Sequence, residues 1–182
     1  MKIETIELKN VELIGIVHDI PYAKGPEECP KAWGEYVERI VKPVYMEGRE
    51  PDEFQCAAVA NNVGSYALCQ CDLTGDANCA TCEASFAACP LKTFTYIIGG
   101  FYMSGPVPDG MKVARLHDGK WMKFHFEGGM KAFQQQAHYV YKEWLPAHPE
   151  VKIATRQCME WYDGTDIQSP DYRCGVMFPV AE

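Results

Sequence analysis

The stretch KAFQQQAHYVYKEWLP, residues 131–146, sets Phe133, Ala137, Val140, Tyr141, Trp144 and Leu145 three or four residues apart and ends on Pro146. That spacing predicts an amphipathic helix whose apolar stripe needs a surface to lie on. Earlier in the chain a similar phrase occurs. KAWGEYVERIVKP, residues 31–43, carries Trp33, Tyr36, Val37, Ile40 and Val41 at helical spacing, which predicts a first helix stopped by Pro43. Both phrases open Lys-Ala-aromatic. Around the first, VELIGIVHDI (11–20) reads as a strand, GPEECP as a break and EGREPDEF as a loop, and QCAAVANNVGSYALC (55–69) and FTYIIGGFYM (94–103) read as two more strands. Around the second, MKVARLHDGKWMKFHFEGG (111–129) reads as a hairpin turning at Asp118-Gly119. The strands KIATRQCMEWYD (152–163) and YRCGVMFPV (172–180) follow, joined by GTDIQSPD.

Each half thus reads strand, helix, strand, strand. The expected fold is α+β: two fused strand-helix-strand-strand units with pseudo-twofold symmetry, about 1–105 and 106–182, within a single domain of 1–182. They would share one antiparallel sheet, with the helices on one face and a ligand cleft on the other, along the seam.

Composition narrows the function. With 47% hydrophobic residues, ten Tyr, eight Phe and four Trp, the chain can build a core and is not disordered. Its charge of −8 comes without any basic cluster, so it offers no footprint for nucleic acid. The opening MKIETIELKN is charged and alternating, unlike a signal peptide, and no run reaches the ~18 apolar residues of a membrane helix. The expected address is the cytoplasm, where cysteines stay reduced.

RQCMEWYDG, residues 156–164, poses a chemical question. On a strand, Cys158, Glu160 and Tyr162 share one face and Met159 and Trp161 the other. Glu160 is then either a solvated acid paired with Arg156, four residues back, or a single buried charge.

Taken together, these segments resemble the GyrI-like, or AraC-type effector-binding, small-molecule-binding domain family. The resemblance is carried by VELIGIVHDIPY, AWGEYVERI, VGSY, FTYIIGG, VPDGMKVARLHDGKWMKFHFEGG, YKEWLP, MEWYDG and the final FPV, nearly the whole chain outside 69–90. It implies a concave hydrophobic pocket between the two units, in a family whose members bind bulky, often cationic or aromatic compounds. Some members are effector halves of transcription regulators, some confer toxin resistance, and some hydrolyse strained electrophiles. A Glu followed two residues later by Tyr at the pocket floor is a family feature, here Glu160 and Tyr162. The first strand begins within the first dozen residues, leaving no room upstream for a helix-turn-helix, so a free-standing binding domain is expected.

A carboxylate in an aromatic cleft can serve as counter-charge to a cation stacked on the rings, or, with a raised pKa, as a general base. Tyr66, Tyr96, Phe124 and Phe178 from strands, and Trp33 from the first helix, are the expected wall. Trp144 and Tyr141 read as helix core. His18, His117, His125, His138 and His148 form no triad with a Ser or Cys, and Gly99-Gly100 and Gly128-Gly129 fit bends in the sheet better than a phosphate loop.

The insert CQCDLTGDANCATCEASFAAC (69–89) departs from the family. Cys69, Cys71, Cys79 and Cys82 have spacings that suit a structural zinc, with Cys89 left over. A disulfide-linked loop and reduced thiols in a mobile loop are the alternatives, and the insert is a candidate lid. The leading functional reading is capture of a hydrophobic, cationic or aromatic small molecule, with no cofactor required. A hydrolase of cyclopropane-type electrophiles using Glu160 as base, with Tyr162 assisting, is the second. A metal- or redox-responsive protein acting through the cysteines is the third. Any protein partner is left open.

Overall fold

The computed structural model describes residues 1–59, 65–70, 93–163, 167, 169 and 171–181. Its strands are β1 (Lys2–Leu8), β2 (Glu12–Pro21), β3 (Ser65–Gln70), β4 (Thr93–Phe101), β5 (Met111–Arg115), β6 (Gly119–His125), β7 (Gln157–Asp163) and β8 (Arg173–Pro179). Helix α1 (Gly25–Tyr36) runs on as a wider π-helical stretch to Met46, and α2 is Glu53–Val59. Helix α3 (Met130–Tyr139) continues through a π-helical stretch, Val140–Trp144, into Leu145–Ala147.

All eight strands lie in one antiparallel sheet in the order β1-β6-β8-β7-β3-β4-β2-β5. Exchange the first four strands with the last four and this order reads the same from its other end. The twofold relation expected from the repeat therefore holds, with its axis between β3 and β7. The edge strands, however, are traded: β1 pairs with β6 of the second half, and β5 pairs with β2 of the first.

That exchange corrects the expected hairpin. β5 and β6 both form, but they do not pair with each other. They stand six strand spacings apart, about 29 Å across a flat sheet, whereas their short connection reaches only about 14 Å. The sheet must coil until its ends approach, and the two short connections meet there. The Leu116 N–H donates to Val11 O at 2.9 Å and Asn10 N–H to Asp118 Oδ1 at 2.7 Å. Arg115 ties Asn10 to Asp118, with 2.8 Å bonds to each.

Coiling demands backbones that approach closely. A Cβ at Gly99 would stand 1.9 Å from Ile14 O, and one at Gly175 1.8 Å from Phe124 O. Gly99 therefore allows β4 to approach the backbone of β2 closely. Gly128 and Gly129 instead turn the chain into α3 at φ 87° and 64°, which side chains rarely adopt.

Three other expectations are corrected. KIETIEL is a strand, paired with β6 along its whole length, although its charges hid it. The first helix starts at Gly25, inside the expected break, because Pro26 falls in the first turn, where an N–H has no partner anyway. It also passes Pro43, since the π-helical stretch accommodates a residue lacking an N–H. Finally, the start of the expected strand 55–69 is helix α2. Asp52 Oδ1 accepts from the Gln55 N–H at 2.8 Å while Gln55 Oε1 accepts from the Asp52 N–H at 3.0 Å, a reciprocal cap.

The sheet separates two cores. Under α1 and α2 lie Ile16, Ile20, Tyr36, Ile40 and Ile98, and under α3 lie Phe124, Phe126, Val140, Val176 and Phe178. The concave face of the coil is filled by Leu13, Leu68, Ile97, Trp121, Met159 and Trp161. Among the described residues no helix is long and apolar enough to cross a membrane.

Candidate ligand-binding site

Register decides what surrounds Glu160. It stands opposite Ala67 of β3 on one side and Val176 of β8 on the other, at the centre of the helix-bearing face. The small Ala67 leaves room beside it. Two tyrosines close over the carboxylate from neighbouring rows. The Tyr96 hydroxyl donates to Glu160 Oε2 at 2.6 Å, and the Tyr162 hydroxyl donates to the same oxygen at 2.9 Å. Trp33 Nε1, from α1, donates at 2.8 Å to the Tyr96 hydroxyl. Among the described residues Oε1 accepts no hydrogen bond.

Tyr162 is held between the two repeat-related aromatics. Trp33 meets it edge-on, with centroids 4.8 Å apart, and Phe133 stacks on it at 5.4 Å. The Lys-Ala-aromatic openings of the two helix phrases thus converge on one ring.

Burial raises the Glu160 carboxyl above its usual range, and the two hydroxyl bonds offset that only in part. Among the described residues no cationic side chain acts on it. Burial, then the Glu160 charge, also pushes Tyr162 well above the ordinary phenol range. The Cys29 thiol is pushed up to about 11, by burial first and Glu160 second. Glu160 as a whole nonetheless keeps an intermediate share of accessible surface.

The alternative of a solvated pair with Arg156 is therefore not what forms; Arg156 lines a separate recess with Arg115 and His117. Of the expected site residues, Glu160, Tyr162, Tyr96 and Trp33 come together, on the face the helices cover. Tyr66 does not join them. It sits opposite Trp161 on the concave face and packs on Phe101 at 4.4 Å. Phe124 and Phe178 share the helix side but are fully buried against each other and Trp144, as core and not as wall.

Sequence reasoning missed Cys29 and Phe133. Phe133 was signalled by its equivalence to Trp33, and Cys29 by its i−4 position to Trp33 once the helix is extended to Gly25. Cys71, Cys79, Cys82 and Cys89 lie outside the described residues, as does the candidate lid, and Cys69 is described only in its backbone. Among the described residues no group of three or more His, Cys, Asp or Glu is placed to hold a metal.

Among curated proteins none matches the chain at a significant level. Solved structures do. The structure of SAV2435 bound to tetraphenylphosphonium matches with a TM-score of 0.72 at 17% identity, covering 100% of this chain and 94% of that one. A putative bacterial transcription regulation protein from Staphylococcus aureus MU50 matches at 0.64 and 17% identity, covering 100% and 99%. The EcmrR C-terminal domain matches at 0.51 and 10%, covering 100% and 98%. At these identities the likeness is one of fold. The GyrI-like small molecule binding domain matches residues 83–181, more than half of the chain, and with the coiled eight-stranded sheet this shows that the protein belongs to the GyrI-like small-molecule binding family.

Proposed function

We propose that this protein captures hydrophobic, cationic or aromatic small molecules at Glu160. The observation that carries the reading is a carboxylate held under aromatic rings which, among the described residues, is bonded by hydroxyls alone, with one oxygen left to accept and no cation acting on it. A buried carboxylate without a counter-charge is costly. A delocalised cation that stacks on Trp33 offsets that cost and gains roughly 0.5–2 kcal/mol from a favourable cation–π contact. The bound ligand of the structural relative, a phosphonium bearing four phenyl rings, is of this chemical type.

Calorimetric titration with tetraphenylphosphonium and with neutral tetraphenylmethane-like analogues of the same shape tests it. Glu160→Gln is expected to weaken the cation by at least about tenfold, or 1.4 kcal/mol, and the neutral analogue hardly at all. Equal losses for both sink the reading.

The raised pKa of Glu160 favours one second reading: hydrolysis of a strained electrophile, with the carboxylate as base on water and the Tyr162 hydroxyl orienting the proton. Incubation with cyclopropane-bearing electrophiles decides it, since turnover by wild type that Glu160→Gln abolishes would make the site catalytic. Structural zinc or redox chemistry in the cysteine insert is answered by metal analysis of anaerobically purified protein.

A further inference from the structure

Cys69 opens the cysteine insert, and the pairing of β3 with β7 sets it directly opposite Cys158, which lies far outside the insert. Register partners share a face. Both positions are therefore on the helix-bearing face, two residues along from the Ala67–Glu160 pair. β3 belongs to the first half of the chain and β7 to the second, and theirs is the pairing on the twofold axis. The adjoining pair Leu68–Met159, fully buried on the concave face, holds this register in place.

The backbone ladder gives the spacing of the two cysteines. Along an antiparallel strand, residues alternate the side to which N–H and C=O point. The Phe126 N–H donates to Cys174 O at 2.9 Å, so even-numbered residues of β8 face β6 and odd-numbered ones face β7. Carried across through the Trp161–Gly175 pair, this turns Cys158 toward β3. From the other side, the Tyr102 N–H donates to Glu12 O at 2.8 Å, so even-numbered residues of β4 face β2. Carried across through Leu68–Ile97, that turns the backbone of Cys69 toward β7. Both routes make Cys69–Cys158 a hydrogen-bonded pair, with Cα atoms about 5.5 Å apart. A disulfide spans roughly 4.4–6.8 Å between Cα atoms. The Cβ atoms of such a pair stand about 5.5 Å apart, whereas a relaxed disulfide holds them at about 3.8 Å. A bond at this position forms, but under strain, and strained disulfides are the readily reduced ones.

Cys158 is also equipped to react. It keeps an intermediate share of accessible surface, which a small oxidant can reach. The Tyr141 hydroxyl, from the π-helical continuation of α3, is in hydrogen-bond contact with its sulfur. A phenol there can donate to the thiolate, the form that acts as nucleophile.

We propose that Cys69 and Cys158 form a reversible cross-strand disulfide, a redox-sensitive clasp that joins the two halves of the sheet at the twofold axis. With hydrogen peroxide as oxidant, the Cys158 sulfur attacks the O–O bond, becoming a sulfenic acid as one water leaves. The Cys69 thiol then attacks that sulfur, closing the S–S bond as the second water leaves. Each cysteine gives up one proton and one electron, and the peroxide is reduced to two waters.

The test takes the full chain, reduced, and exposes it to a slight excess of hydrogen peroxide. Remaining thiols are alkylated and non-reduced digests are sequenced by mass spectrometry. A cross-link between Cys69 and Cys158 is expected in wild type and in Cys71→Ser, and its loss in Cys69→Ser and Cys158→Ser. Among nine cysteines, an unfolded chain favours pairs that close short loops. The Cys69–Cys158 yield should therefore fall about tenfold or more when the oxidation is run in urea. An excess of reduced glutathione should return both thiols in the folded chain. The proposal is overturned if Cys158 stays alkylatable after peroxide, or goes to sulfinic acid without a cross-link. A Cys158 cross-link that survives in Cys69→Ser, or a yield as high in urea, overturns it too. A bond that withstands glutathione would be a structural staple and not a switch.

Discussion

Glu160 Oε2 accepts from two hydroxyls, yet burial outweighs them and the folded chain holds this proton to higher pH than the unfolded chain does. Between an unfolded pKa of about 4.3 and the raised folded value, the native state binds more protons. The contribution of this residue to stability therefore falls as pH rises through that window. Glu160→Gln keeps an oxygen for the hydroxyls and abolishes the charge. In calorimetric scans the variant is expected to melt at or above wild type at pH 8, with the gap shrinking toward pH 4; a gap that grows toward acid would contradict the raised pKa. The same proton competes with a cationic ligand. Wild-type affinity for tetraphenylphosphonium should rise by up to about tenfold per pH unit below the folded pKa and level off above it, whereas Glu160→Gln should give a flat profile. Tyr96→Phe tests the support, since it removes a donor to Glu160 and strands Trp33 Nε1 without its acceptor. A loss of about 1–3 kcal/mol in denaturant unfolding is expected.

At the scale of elements, periodicity carried the reading wherever one face is apolar and the other polar. The stripes of α1 and α3 are of that kind, and both form; β2 instead showed as a continuous Val/Ile run, buried on both faces. β1 is a charged edge strand that only half-buries one face, Ile6 and Leu8 against the concave core, so its residues carry little hydrophobic signal. α2, read as loop and strand, carried its signal in a different code, the cap written by Asp52 and Gln55 in PDEFQ. Asp52→Ala should cost about 1 kcal/mol of stability and leave ligand affinity unchanged, as urea unfolding and titration of one sample would show. The site was half legible for a related reason. An acid between Met159 and Trp161, with Tyr162 two residues on, stands out in any strand. That Tyr96 bonds it, and that Tyr66 turns away, depends on registers running across β4, β3 and β7, and no local pattern encodes those.

For the whole molecule, the coil of the sheet is the controlling feature, and glycines at backbone crossings permit it. Gly99→Ala would drive a Cβ into Ile14 O and Gly15 Cα, atoms of the main chain that cannot swing aside. A loss of about 2 kcal/mol or more is expected, measured as a drop in Tm. Gly34→Ala in α1 meets nothing within 4 Å and should instead raise stability by about 0.5–1 kcal/mol. A Gly99→Ala variant as stable as wild type would mean that the crossing relaxes. The traded edge strands bear on the order of assembly. Lys2 pairs with His125, so β1 waits for β6 to be synthesised before it has a neighbour. At roughly 5–20 residues per second that wait lasts many seconds, during which KIETIEL stays an unpaired, charged segment. The charges that hid β1 from a hydrophobicity reading keep that segment soluble until its seat is made.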